Sequence, residues 1–148
     1  MSLNYSLLFN LFMVESTIIV MRKPTEKQQA IVDQFNELGV ARCHSTQANQ
    51  AFIKQWITDN NIEVVDCSRK SGIYPNGLGN PHKMTKNWSN ATPEEVEADR
   101  NKVCDEFQKT FNNNPINLST LNGKLLTCCN SDNRCHLDTY IKELTKTL

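Results

Sequence analysis

Apolar positions along the chain alternate between short β-branched runs and stretches of helical period. Ser16-Thr17-Ile18-Ile19-Val20-Met21 is a run of strand length. Thr25 and Gln28 then stand in capping-box register, and Ile31, Phe35 and Leu38 share one helical face. Gly39 falls where a left-handed residue closes a helix. Val40–His44 predicts another strand. A second helix follows, with Ala48, Phe52, Ile53, Trp56 and Ile57 as its buried stripe; Asn60-Asn61 breaks it, and Ile62–Asp66 predicts a third strand. Strands and helices joined this tightly predict a parallel sheet with crossover connections.

From residue 67 to 91 the periodicity vanishes. Gly72, Pro75, Gly77, Gly79 and Pro81 make this a long loop, and loops beyond ~15 residues in compact domains are often functional. Thr92-Pro93-Glu94-Glu95 marks a helix start: an N-cap, a proline in the first turn, and acids at the positive end of the dipole. That helix runs to about Phe111, burying Val96, Val103, Phe107 and Phe111. Lys124–Cys128 predicts a fourth strand. A last helix spans about Asn133 to Lys146 with Leu137, Tyr140, Ile141 and Leu144 inward. The expectation is a small three-layer, Rossmann-like α/β domain over residues 13–148, with a mainly parallel sheet containing Thr17–Met21 and the three later strands. Residues 1–12 read as a disordered extension.

Composition narrows the partners. Sixteen basic residues balance sixteen acidic ones, which removes the basic excess of a dedicated nucleic-acid or anionic-membrane binder. The apolar run Leu7–Val14 ends at Glu15, well short of the ~20 residues a membrane span needs. No basic residue precedes Arg22, so the charged start of a secretory signal is missing, and the reading is a cytoplasmic protein. In that setting six cysteines point to metal, redox chemistry or plain burial. Cys43, Cys67 and Cys104 read as buried thiols acting as small hydrophobes.

Cys128, Cys129, Cys135 and His136 form the densest chemical cluster. In a parallel sheet the exit of the last strand lies at the carboxyl edge, where open α/β sheets bind ligands. A cysteine in the first turn of a helix feels the dipole, which favours thiolate. Three uses stay open: a buried structural pair, a ligand-binding or catalytic site, and a metal or redox centre. A zinc site would need a further ligand such as Cys129, His82 or Cys67, and the spacing matches no standard zinc pattern, so neither metal nor cofactor is expected. His136 follows Cys135 directly and so points roughly 100° away on a helix, poorly placed as its base. Arg69-Lys70 with Gly79-Asn80-Pro81 reads either as a loop holding an anion, since the arginine fork matches phosphate or carboxylate, or as a solvated basic pair beside a turn. His44, His82 and Trp88 read as structural or exposed.

Residues from about Ile62 to Leu144 resemble an uncharacterised family of small bacterial and phage domains. Its members carry a strand ending in arginine, a Gly-Asn-Pro turn, an amphipathic helix, and a strand entering Cys-x-Cys-x4-Cys-His-x-Asp. Arg69, Gly79-Asn80-Pro81, the helix from Thr92, Cys128, Cys135, His136 and Asp138 match that pattern. Asn130 stands at the family's second cysteine, Cys129 at its tryptophan, and Tyr74 at an arginine expected before the turn. Residues from about Thr17 to Asp66 more weakly resemble the first βαβαβ of SLOG-type Rossmannoid proteins, which bind nucleotides or nucleotide-derived ligands. Arg22 and Thr25 echo the first element, while Cys43–Asn49 replaces a glycine-rich turn without any glycine. Glycines there let backbone amides approach phosphate, so the departure bears on that turn.

The resemblance implies candidate ligand-binding residues Arg69, Gly79, Asn80, Cys135, His136 and Asp138. The function expected is binding of a small nucleotide-like or other anionic ligand at the carboxyl edge of the sheet, with hydrolysis or group transfer left open. The alternatives are a non-catalytic regulatory or interaction module, of phage origin, and a zinc-stabilised adaptor.

Overall fold

The computed structural model describes residues 23–129 and 133–146; the expected extension over residues 1–12 and the expected strand Thr17–Met21 lie outside them. Among the described residues the order is α1 (Glu26–Leu38), β1 (Ala41–His44), α2 (Ser45–Ala48), α3 (Ala51–Asp59), β2 (Val64–Asp66), a 3-10 turn (Arg69–Ser71), α4 (Pro93–Asn113), a second 3-10 turn (Ser119–Leu121), β3 (Leu125–Cys128) and α5 (Leu137–Leu144).

The three strands pair in the order β1-β3-β2, all parallel. The last strand in sequence is therefore the middle one in space. All four of its residues are buried, which is why Leu125-Leu126-Thr127-Cys128 lacks the alternation of a half-exposed strand. Alternation survives on the partners. Ala41, Cys43 and Leu125 turn one way, packing with Ile31, Ile53 and Ile62 from α1, α3 and the turn before β2. Leu126 and Cys128 turn the other way, against Phe107, Phe111, Leu137 and Tyr140 from α4 and α5. Helices cover both faces, giving a small α/β domain with an all-parallel sheet.

Local signals set most boundaries. Thr25 and Gln28 complete the reciprocal capping box, and Gly39 closes α1 in the left-handed region at φ 74°. Thr92 caps α4 through Glu95 N, with Pro93 in the first turn. Three expectations shift. β2 begins at Val64 because Ile62 N bonds back to Ile57 O and Asn61 has φ 50°, so both belong to the turn. The second helix divides at Asn49-Gln50, where the amides of both residues bond three residues back rather than four and Gln50 turns extended at ψ 142° to start the next piece. The last helix starts at Leu137 because Asp138 N and Thr139 N bond to the carbonyls three residues back, a tight turn that holds Cys135 and His136 outside it.

Among the described residues no helix is long and apolar enough to cross a membrane.

Candidate functional site

Parallel pairing puts the ends of β1, β2 and β3 on one edge, with His44 opposite Cys128 and Asp66 opposite Thr127. The segments leaving β2 and β3 consequently meet. A cavity of about 480 Å³ opens between them and α4. Ser68, Arg69 and Lys70 line it from the exit of β2, and Cys128, Cys129, Cys135 and His136 from the exit of β3 and the approach to α5. Asn80, Lys83 and Met84 of the long loop and Arg100, Val103 and Cys104 of α4 complete the wall.

The loop is tied down at many points. The His136 ring sits over it with Nε2 2.9 Å from both Cys67 O and Leu78 O; carbonyls only accept, so Nε2 carries the proton. Tyr140 Oη donates to the same Leu78 carbonyl at 2.7 Å. Arg69 Nε donates to Asn80 O at 2.7 Å and its Nη2 to His82 O at 2.8 Å. Asn80 Oδ1 accepts from His82 N, and the His82 ring reaches Thr110 Oγ1. Asp99 accepts from the amides of Thr85 and Lys86, and these bonds hold its carboxyl below the usual carboxylate range. Gly79 is required by close approach: a Cβ there would lie 2.6 Å from Arg69 Cα and 2.7 Å from Gly72 O.

In the cavity wall Cys128 Sγ and Cys135 Sγ are 3.3 Å apart. Arg42, which points to the same face of β1, donates from Nη1 to Cys135 Sγ at 3.0 Å and from Nη2 to Asn133 O at 3.1 Å. Its Nε meets Asp138 Oδ1 at 2.7 Å, and Asp138 Oδ2 accepts from Cys135 N at 3.3 Å. Arg42 and Asp138 thus fix the position of Cys135 from two sides. The adjacent Cys128 thiol and burial push the Cys135 thiol up strongly, while the Arg42 charge pulls the other way. Burial also pushes Cys43 and Cys67 up to about 12 and Cys104 to about 11, which leaves them as packed thiols. Burial lowers the pKa of His136 despite its two carbonyl acceptors, so the ring is held neutral.

The six candidate residues divide accordingly. Arg69, Asn80, Cys135 and His136 line one cavity although 66 positions separate the first from the third. Gly79 and Asp138 do not line it: Gly79 lets two backbone segments touch, and Asp138 caps the approach to α5 and pairs with Arg42. Sequence reasoning missed Arg42, whose partners depend on strand order, and Arg100. The Arg100 Nε is buried and, among the described residues, has no hydrogen-bond partner. Its residue signal was weak: a lone arginine among the many charged and polar residues of α4. Among the described residues no three His, Cys, Asp or Glu side chains converge as a metal site would require.

No family model, curated protein or solved structure matches the chain. What defines the molecule is its own architecture, an α/β domain with a parallel sheet and a basic cavity at the carboxyl edge.

Proposed function

We propose that this protein binds a small anionic, nucleotide-like ligand in the cavity at the carboxyl edge of its sheet. The observation that carries the reading is the sign of the wall. Arg69, Lys70, Lys83 and Arg100 line the cavity, and among the described residues no carboxylate does. Four like charges around one space repel each other, and an anion relieves that repulsion. Arg100 adds a more specific argument. A buried guanidinium N–H without a partner costs ~1–3 kcal/mol, and a ligand oxygen that accepts from it recovers that loss. Arg69 is bonded through Nε and Nη2, which leaves Nη1 without a partner among the described residues. Val103, Met84 and Cys104 supply an apolar wall suited to a base or another flat group, and the volume falls within the ~300–1,000 Å³ of small-molecule sites.

Binding without catalysis fits the geometry better than hydrolysis or group transfer. The His136 Nε2 is held on two carbonyls and its ring is buried neutral, so it does not serve Cys135 as a base. The test is a thermal-shift screen pairing phosphate-bearing compounds with their uncharged counterparts: nucleoside mono-, di- and triphosphates and nucleotide sugars against nucleosides. The reading expects saturable stabilisation by members of the charged set, rising with concentration as required of a ligand that binds only the folded state. Equal response to charged and uncharged members, or none to either, contradicts it.

A further inference from the structure

We propose that Cys128 and Cys135 form a redox-active dithiol, oxidised by a hydroperoxide to an intramolecular disulfide and returned to two thiols by a small dithiol reductant. The pair is not accidental in its placement. Cys128 ends β3, and Cys135 lies two residues before the last helix, in the tight turn closed by the Asp138 N bond to its carbonyl, so the backbone at both cysteines is hydrogen-bonded in place. Their separation of 3.3 Å must shorten by only roughly 1.3 Å to reach the ~2.0 Å of a disulfide bond, a movement within reach of side-chain rotation. Both residues are 3% exposed, yet both line the cavity, which admits a molecule as small as hydrogen peroxide and excludes a protein partner.

Geometry makes the two sulfurs unequal. Cys128 donates to Cys135, and Arg42 Nη1 donates to Cys135 at 3.0 Å, so the developing negative charge is better met on Cys135. The Cys128 contact and burial hold the Cys135 thiol protonated at rest. The reaction balances without any group the cavity lacks other than the peroxide. The Cys135 sulfur attacks one peroxide oxygen; an S–O bond forms, the O–O bond breaks, and the departing hydroxide takes the Cys135 proton as water. The Cys128 sulfur then attacks the sulfenic sulfur of Cys135. An S–S bond forms, the S–O bond breaks, and hydroxide leaves with the Cys128 proton as a second water. Two thiols give up two electrons and two protons, and one peroxide becomes two waters. Nothing in this chemistry depends on the anion-binding reading, so either proposal can fail alone.

Cys129 is the natural internal control, since it is exposed and adjacent. The experiment takes the full chain, reduced and freed of reductant, adds equimolar hydrogen peroxide, alkylates the remaining thiols and maps the peptides by mass. The expected result is loss of two alkylatable thiols and a linked Cys128–Cys135 peptide two hydrogens lighter, reversed by dithiothreitol and unchanged in Cys129→Ser. Linkage through Cys129, or sulfinic acid on Cys135 without a disulfide, overturns the proposal. So does a chain that keeps all six thiols under conditions that oxidise a control dithiol peptide. The wild-type and Cys129→Ser chains suffice, so no variant of the buried pair has to fold.

Discussion

Arg42 Nε stands 2.7 Å from Asp138 Oδ1, joining β1 to the first turn of the last helix. Ninety-six positions separate the two residues, and only the insertion of β3 between β1 and β2 brings the ends of these elements together. The same guanidinium holds Cys135 and the Asn133 carbonyl, so one side chain anchors the whole approach to α5. With Arg42 at 15% exposure and Asp138 at 43%, the pair is worth more than a surface bridge and less than a buried one. Arg42→Met and Asp138→Asn are each expected to lower unfolding free energy by about 1–3 kcal/mol. Urea denaturation of the double variant should show a loss smaller than the sum of the singles. Strict additivity would show that the pair does not act as a unit.

Gly79→Ala tests whether the loop floor is as tight as it stands. The nearest neighbours of the new Cβ are backbone atoms of Arg69 and Gly72, which cannot swing aside as a side-chain tip does. A loss of roughly 1–3 kcal/mol in denaturant unfolding is expected, with larger values if Arg69 is pushed off its two carbonyls. Gly79→Ala behaving like wild type would contradict the close approach.

Much of the fold was legible because its signals are local. The capping box at Thr25, the closing Gly39 and the Thr92-Pro93 start of α4 are each decided within a few residues, and strands β1, β2 and β3 fall inside the runs expected for them. The site was legible only as a collection of positions. Arg69 reads as a ligand arm, but two of its N–H groups hold the loop, so Arg69→Ala is expected to destabilise the chain as well as weaken binding. Asp138 reads as a ligand contact because it follows Cys135 by three residues, yet the neighbour it serves is Arg42, which no local pattern indicates. Arg100 was missed for a related reason: only its Nε is buried while the residue stays half-exposed, so helical periodicity does not mark it.

His136 makes stability depend on pH. Burial lowers its folded pKa below the ordinary value near ~6.5, so the unfolded chain takes up the proton first as pH falls. The contribution of the neutral ring is fully present above about pH 6.5 and is lost progressively as pH drops from there toward the folded pKa. Urea midpoints measured from pH 8 to pH 5 should decline below about 6.5, and the decline should be shallower in His136→Gln. An equal decline in both proteins would assign it to other groups.

The measurement that bears most directly on the anionic-ligand reading compares wild type with Arg100→Met, each melted alone and with the phosphate compounds of the screen. Methionine keeps the apolar stem and removes the buried, unpartnered Nε, so the unliganded variant should melt at or above the wild-type temperature. It should also lose most of the ligand-induced shift, because the group that awaited an acceptor is gone. A variant that melts no lower than wild type and still responds equally to the same compounds would contradict the account, as would the absence of any response in wild type.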